Sequence, residues 1–186
     1  MAKAEYRSAI RSRKLIIAAL ADLLQEKPLD KITVTEVVNR AGINRGTFYA
    51  HYTDIPDVIN SLIQQTFSRI RQILDSHPLK MENLADVLME QIEAILREDL
   101  DFYRKVMASS AAPLMQEQLV DIVVGYLLQH EAQFSTESHE QFVLKIRFCA
   151  GGLSNLYRDW FEGKLDITLG ELTQNAQRML YRVIGV

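Results

Sequence analysis

The sequence predicts an all-α protein of about nine helices, in which a three-helix N-terminal head precedes a C-terminal helical bundle. Apolar residues recur at helical spacing along almost the whole chain, and no stretch alternates apolar and polar residues long enough to indicate a β-sheet. Only eight glycines and four prolines interrupt these patterns among 186 residues. We predict a domain boundary between the head, 1–54, and the bundle, 55–186.

The first helix is predicted from Ser12, a favoured N-cap residue, to Gln25. Lys27-Pro28-Leu29-Asp30 follows and would end the helix, since proline disrupts helical hydrogen bonding. Residues 1–10 are predicted to form a loose arm. Four basic side chains would reach DNA phosphates or a minor groove from this region, or would simply be solvated: Arg7, Arg11, Arg13 and Lys14.

Residues 33–43 indicate a short helix followed by a tight turn. Thr33 and Glu36 have the T-x-x-E spacing of a capping box, in which the hydroxyl accepts a backbone N–H and the carboxylate reaches back to the cap. Gly42 comes about two turns later and readily adopts the left-handed conformation that ends a helix. The pattern predicts a sharp change of direction at Gly42.

A second short helix is predicted directly after this turn. Asn44 is a favoured N-cap, and Phe48 is the large apolar residue that would anchor the helix. A recognition helix presents its N-terminal residues to base edges, so Arg45 is expected to address guanine N7 and O6. Gly46 would let the backbone approach closely. Side chains with donors suited to phosphate oxygens follow at Thr47, Tyr49, His51 and Tyr52.

The run AGINRGTFYAHYTD resembles the A-G-[VI]-[ST]-x-G-[TS]-x-Y-x-[HY]-[FY] signature of the TetR/AcrR family of bacterial transcriptional regulators. Upstream residues are similar to the first helix of that family, namely Arg13, Ile17, Ala18, Ala19 and Leu23. The resemblance covers roughly the first third of the chain and implies a helix-turn-helix DNA-binding domain. By this resemblance the DNA-contacting positions are Thr33, Thr35, Asn44, Arg45, Gly46, Thr47, Tyr49 and His51.

Two positions depart from the family pattern. Asn44 stands where the family usually has serine, and its two amide donors would add base contact. Ile55 and Pro56 stand where the family often has a basic residue at the start of the fourth helix, which bears on one phosphate contact usual in the family.

The remaining helices follow from apolar spacing and from cap residues. Asp54 would cap a fourth helix that tolerates Pro56 in its first turn and ends at His77-Pro78. Further helices are predicted near 81–97, 99–109 and 113–131. Two capping-box spacings would start the last two helices: Ser138 with Gln141, and Thr168 with Glu171.

The last two helices are apolar on more than one side, and Ala150-Gly151-Gly152 would allow another helix to approach closely. An exposed apolar surface of this kind usually marks a partner site. By the resemblance, the helix pair meets its copy in a four-helix dimer interface, and a twofold dimer suits a palindromic operator with half-sites about 34–36 Å apart. The expected interface residues are Phe148, Gly152, Leu156, Leu172, Met179 and Leu180.

Charge is distributed unevenly along the chain, although the net charge is only −3. Through residue 53 there are nine basic and five acidic residues, a balance of +4, and the remainder of the chain carries −7. A basic head suits the phosphates of double-stranded DNA, whereas the acidic remainder would be repelled by them.

Regulators of the resembling family commonly hold a small-molecule effector among the helices of the bundle. The candidate lining residues here are Tyr103, Met107, Tyr126 and Tyr157. For any one of them, ordinary core or helix surface is the favoured interpretation, because Met and Tyr fill irregular gaps between helices. The sequence indicates no ligand class.

Several other classes of protein are not expected. No apolar tract is long enough to cross a membrane and no signal peptide is visible, so a cytoplasmic protein is predicted. A single cysteine, Cys149, excludes an internal disulfide, and the four scattered histidines favour neither a metal nor a cofactor. A phosphate-binding glycine loop, a nucleophile elbow and a plausible acid pair are all absent, so no enzyme is predicted.

These observations predict a homodimeric transcriptional regulator, a repressor that binds a palindromic operator and is released by a small-molecule effector. One alternative retains DNA binding but replaces gene control with an architectural or protein-partner role. Another is a helical enzyme with an incidental motif, which would show turnover and no salt-dependent DNA affinity.

Overall fold

The computed structural model describes residues 2–76, 80–135 and 137–184, which form ten α-helices and one 3₁₀ turn without any β-strand. The predicted all-α class is confirmed. The chain divides into two compact units, one formed by Met1–Leu62 with Asp101–Pro113 and the other by Ile63–Leu100 with Leu114–Val186. The predicted domain boundary between residues 54 and 55 stays a prediction.

Helix α1 runs from Ala2 to Glu26 and therefore begins ten residues before the predicted start. The prediction of a loose arm was wrong, because residues 2–11 contain neither glycine nor proline and are mostly good helix formers. Ser12 lies inside the helix instead of capping it. Its hydroxyl donates to the carbonyl oxygens of Ser8 and Ala9 at 3.0 and 3.1 Å.

The first unit is built around α1, helix α2 (Val34–Ala41) and helix α3 (Arg45–Tyr49). A 3₁₀ turn at Leu29–Lys31 joins α1 to α2, as the predicted break at Pro28 requires. The three helices pack against one another. Their shared core consists of fully or almost fully buried side chains, namely Ile16, Leu20, Leu23, Leu24, Val37, Val38 and Phe48.

Helix α4 (Ile55–Ser76) contributes its first residues to the first unit and its later residues to the second. Asp54 caps it as predicted, because the Asp54 carboxylate accepts the N–H of Asp57 at 2.8 Å. The predicted helix end at His77-Pro78 lies outside the described residues.

Helix α6 (Leu100–Met107) completes the first unit from a distant part of the sequence. Its Phe102 and Val106 face apolar residues of α1 and α4 across a void of only about 10 Å³. Lys105 Nζ contacts the carboxylates of Asp22 and Asp101 at 2.9 and 3.0 Å, and these hydrogen bonds raise the pKa of Lys105. Segment 101–113 is thus held to α1 by apolar packing and by charge.

The second unit contains helix α5 (Met81–Glu98), helix α7 (Ala112–Gln129) from Leu114 onward, helix α8 (Glu131–Phe134), helix α9 (His139–Phe161) and helix α10 (Leu169–Ile184). Helix α10 packs against α5 and α9. The buried cluster of the α5–α10 contact combines two small residues, Ala85 and Ala176, with the larger Met89 and Leu180.

The two helices near the C-terminus begin where the cap residues predict. The Ser138 hydroxyl accepts the N–H of Gln141 at 3.3 Å, and Thr168 and Glu171 form a reciprocal capping box with distances of 2.8 and 3.2 Å. The short helix α8 was not predicted, because four residues are too few to show an apolar period. Among the described residues, no helix combines the length and the apolar character that a bilayer span requires.

Candidate nucleic-acid interface

The predicted capping box fixes the start of α2. Thr33 Oγ1 accepts the N–H of Glu36 at 3.4 Å, and the Glu36 carboxylate accepts both the backbone N–H and the hydroxyl of Thr33 at 3.0 and 2.8 Å. The threonine hydroxyl is therefore already engaged within the protein. This geometry aligns the first turn of α2 and leaves Thr33 at an exposed helix start.

Glu36 also joins α2 to the end of α1, because its carboxylate forms an ion pair with Lys27. The hydrogen bond from Lys27, followed by those from Thr33, lowers the pKa of Glu36 to about 2. The ionised carboxylate is the form that all three donors stabilise. The sequence indicated the capping role of Glu36 but not its pairing with Lys27.

Gly42 makes the turn between α2 and α3, as predicted. Its φ of 65° and ψ of 34° lie in the left-handed region, and the N–H of the following Ile43 donates to the carbonyl oxygen of Val38 at 3.0 Å. No heavy atom would lie within 4 Å of a Cβ at this position. The requirement for glycine is therefore conformational, since other residues adopt this φ at a cost.

Asn44 caps α3, which spans only five residues. Its side-chain oxygen accepts the backbone N–H of Thr47 at 2.7 Å and the Thr47 hydroxyl at 3.1 Å. Phe48 is fully buried and anchors the helix, as predicted. Tyr49 remains exposed, with its ring edge-on to that of Phe48 at a centroid distance of 5.5 Å.

The predicted DNA-contacting residues lie in three neighbouring places: at the start of α2, on α3 with its cap, and in the short segment that follows α3. Arg45 is exposed at the first position of α3, and its Nη2 donates to Thr35 Oγ1 on α2 at 2.5 Å. Most of the set is exposed, namely Thr33, Thr35, Asn44, Arg45, Gly46 and Tyr49, while Thr47 and His51 are half-buried. Their contacts with DNA stay predictions.

His51 is oriented by α1, because its Nε2 lies 2.7 Å from Ser12 Oγ. Burial, and then the positive charge of Arg13, lowers the pKa of His51 and favours the neutral imidazole. Sequence reasoning could not find this contact, because the two residues are 39 positions apart.

Tyr52 does not belong to the exposed surface. Its side chain is 3% exposed, and its ring lies 5.9 Å from that of Phe48. The prediction that Tyr52 meets phosphates was wrong, because its side chain packs into the core below α3. Burial raises the pKa of the Tyr52 hydroxyl.

The basic residues near the N-terminus are ordered on a helix. Arg7, Arg11 and Lys14 are exposed at i, i+4 and i+7 of α1 and therefore share one face. Arg13 projects from a different side, where its charge acts on His51. The sequence indicates this basic face, because the basic residues recur at helical spacing in a segment that contains no glycine or proline.

The four residues predicted to line an effector pocket are divided between the two units. Tyr103 and Met107 belong to the first unit, whereas Tyr126 and Tyr157 belong to the second. The Tyr126 hydroxyl donates to Asp75 at 2.7 Å, and that of Tyr157 lies 3.3 Å from Thr173 Oγ1. Burial, and then the Asp75 contact, raises the pKa of Tyr126 to about 12. Both hydroxyls of the second unit thus have partners within the protein.

A groove of about 570 Å³ opens on the first unit, between the 3₁₀ turn, the starts of α2 and α4, and Ser110. Its lining includes Leu29, Ile32 and Ile55 but none of the four residues predicted for a pocket. Within the described chain, no group of three or more His, Cys, Asp or Glu residues is placed to hold a metal ion.

The predicted dimer residues differ in exposure. Phe148 and Met179 expose 70% and 53% of their surface, and Gly152 is also exposed. Leu172 and Leu180 expose only 2% and 6%, because they pack in the core of their own chain. These two leucines have almost no surface left for a second chain, whereas Leu156 is half-buried.

Comparison with known proteins identifies the same region. Residues 16–62 match the family described as bacterial regulatory proteins, tetR family. The HTH-type transcriptional repressor KstR2 of Mycolicibacterium smegmatis is 28% identical over 87 residues, which are 45% of this chain and 42% of that protein. The uncharacterized HTH-type transcriptional regulator YvdT of Bacillus subtilis is 32% identical over 60 residues, 30% of this chain and 31% of that protein. The chain thus matches less than half the length of these relatives.

The likeness to solved structures extends along the whole fold. The fatty acid degradation regulator FadR from Bacillus halodurans aligns with a TM-score of 0.66 and 19% identity, over 90% of this chain and 93% of that one. At this identity the similarity demonstrates a shared fold.

Glu36 provides a test of the geometry at the start of α2. Its pKa lies below the ordinary value of 4.5, so its contribution to stability is fully present above about pH 4.5 and is lost as the pH falls toward 2. We expect Glu36→Gln to lower the melting temperature at pH 7 and to flatten its decrease between pH 5 and pH 3. Thermal unfolding followed by circular dichroism measures both effects. Glu117→Gln, at an exposed position of α7, is the charge-matched control, and an equal pH profile in both variants would contradict the assignment.

Proposed function

Because residues 16–62 match the tetR family of bacterial regulatory proteins, we propose that this chain belongs to that family and represses transcription by binding a palindromic operator as a homodimer. The observation that carries the proposal is the capped helix pair of α2 and α3, which leaves Arg45 exposed at the first position of α3. The proposed site of action is the cytoplasm, where the operator DNA would be bound.

In the proposed complex α3 enters the major groove with its N-terminus toward the bases. Arg45 donates to guanine O6 and N7, and Gly46 lets the backbone approach the DNA. Asn44 keeps its cap oxygen on Thr47 and has its amide N–H groups for a neighbouring base. Phosphate oxygens accept from the side chains around this contact, which are Thr33, Thr47, Tyr49 and His51. For this, the hydroxyls of Thr33 and Thr47 turn from Glu36 and Asn44 to the DNA on binding.

The charge distribution supports this orientation. The balance of +4 through residue 53 attracts the phosphate backbone, and the balance of −7 over the remainder disfavours contact of DNA with the rest of the chain. Arg7, Arg11 and Lys14 extend the basic surface along one face of α1. We propose that they contact phosphates that flank the half-site.

The proposed dimer forms through α9 and α10. Exposed apolar residues lie one helical turn apart on each helix, Leu144 with Phe148 on α9 and Met179 with Val183 on α10. Gly152 lies one turn beyond Phe148 and permits close approach. Leu172 and Leu180 are buried in the core of their own chain and fix the position of α10, so they stabilise the proposed interface indirectly. Twofold symmetry of this contact matches the symmetry of a palindrome.

We propose further that a small-molecule effector binds the repressor and releases it from the operator. Tyr126 and Tyr157 are candidate contacts for an effector bound within the second unit, and Tyr103 and Met107 are candidate contacts for one bound within the first.

Selection from a random pool of duplex DNA with the purified full-length chain tests the function. We expect an inverted repeat whose half-sites share a base pair that Arg45→Ala no longer selects. The expected loss of affinity is about 1–3 kcal/mol per operator half-site. Lys164→Ala, which removes an exposed cation from the second unit, should select the same sequence as the wild type. Recovery of no preferred sequence would refute the proposal.

The basic face of α1 should determine part of the salt dependence. We expect the variant with alanine at Arg7, Arg11 and Lys14 to bind with a shallower slope of log Kd against log salt, by about 0.9 for each phosphate that the variant no longer neutralises. Base preference should not change, because these side chains meet only the backbone. Fluorescence anisotropy between 50 and 200 mM salt, a range of about fourfold, measures the slope. An unchanged slope would place these residues away from the DNA.

Phe148→Glu should disrupt the dimer, because a charge would replace an exposed aromatic anchor at the proposed interface. A loss of at least about 2 kcal/mol is expected for such an anchor, which corresponds to a dimer dissociation constant raised about 30-fold. Sedimentation velocity measures the oligomeric state. Gln174→Glu adds the same charge at an exposed position of α10 and should leave the dimer intact. If both variants sediment like the wild type, the dimer does not form through this surface.

A further inference from the structure

We propose that Thr35 is a positioning residue for base recognition, whose hydroxyl holds the guanidinium of Arg45 in the orientation that reads DNA. The contact joins Thr35 Oγ1 on α2 to Arg45 Nη2 on α3 at 2.5 Å. The inference rests on the proposed DNA-binding function and names a determinant of specificity within that site. It differs from the direct DNA contact that the family resemblance implies for Thr35.

The Thr35 side of this contact is rigid. Thr35 is the second residue of α2, and the reciprocal bonds between Thr33 and Glu36 fix the turn that contains it. Val37 and Val38 are buried and hold the same helix to the core. Threonine is branched at Cβ, so its χ1 angle has few alternatives and its hydroxyl keeps a defined direction.

The Arg45 side is rigid at the backbone and flexible beyond it. Asn44 caps α3 through Thr47, and Phe48 anchors the helix, so the Cα of Arg45 has a fixed position. The exposed side chain has four rotatable bonds before the guanidinium, and binding to a base would have to immobilise them. A hydrogen bond to Thr35 before binding removes part of that cost.

The contact leaves Arg45 able to recognise a base. A guanidinium has five N–H donors, and the bond to Thr35 uses one. Two parallel donors remain available for guanine O6 and N7, which is the bidentate geometry that distinguishes guanine from other bases. Thr35 thus acts through Arg45 without touching the base itself.

The two roles of Thr35 predict different measurements. A phosphate contact contributes to the affinity for every duplex, and its removal would make the salt dependence shallower. A positioning contact contributes to discrimination at the single base pair that Arg45 reads, and its removal leaves the salt dependence unchanged.

The test uses the purified full-length chain and its selected operator, together with duplexes substituted at each base pair of a half-site. We expect Thr35→Val to reduce discrimination about five-fold at the base pair affected by Arg45→Ala, and at no other position. The salt slope should equal that of the wild type. Thr35→Ser retains the hydroxyl and should restore discrimination.

A double-mutant cycle provides the second readout. Thr35→Val should have no further effect on binding in an Arg45→Ala background, because the residue through which it acts is absent. Thr35→Ala gives the same comparison if the valine variant fails to fold, as checked by circular dichroism.

Two results would overturn the inference. One is a uniform loss of affinity for all duplexes with a shallower salt slope, which would make Thr35 a phosphate contact. The other is unchanged discrimination in both Thr35→Val and Thr35→Ala. Absence of any sequence preference in the wild-type chain would instead remove the proposed function itself.

Discussion

Helix α3 is only five residues long, and a helix of that length is not stable in water by its own hydrogen bonds. Its geometry depends on contacts at both ends and below. Asn44 satisfies one of the free N–H groups of the first turn, that of Thr47, and the left-handed Gly42 sets the direction from which the chain enters. Phe48 then fixes the helix to the core by burying its entire side chain. The exposed residues of α3 have defined positions because of these three constraints.

The support extends to α1 through two contacts that differ in chemistry. The Lys27–Glu36 ion pair links the end of α1 to the first turn of α2. The Ser12–His51 hydrogen bond links the middle of α1 to the residues after α3. A substitution in α1 is therefore expected to alter the presentation of α3 without changing any of the residues predicted to contact DNA.

Local interactions were predictable from the sequence, and distant ones were not. Both capping boxes with threonine, the Gly42 turn and the Asn44 cap depend on residues three or four positions apart, which a spacing pattern reports directly. The Ser12–His51 contact depends on the fold, as does the burial of Tyr52. The sequence predicted only in part which apolar side chains of α10 are exposed. Helical periodicity identifies apolar faces but cannot assign Leu180 to the core and Met179 to the surface before the neighbouring helices are placed.

The first unit is discontinuous in sequence, because segment 101–113 contributes Phe102, Lys105 and Val106 to its packing. During synthesis the ribosome releases α3 long before it reaches these residues. At about 5–20 residues per second, several seconds separate the emergence of α1 from that of α6. The nascent chain must therefore shield the apolar side of α1 in another way over that interval, and a grafted head that ends at residue 62 would carry the same exposed side permanently.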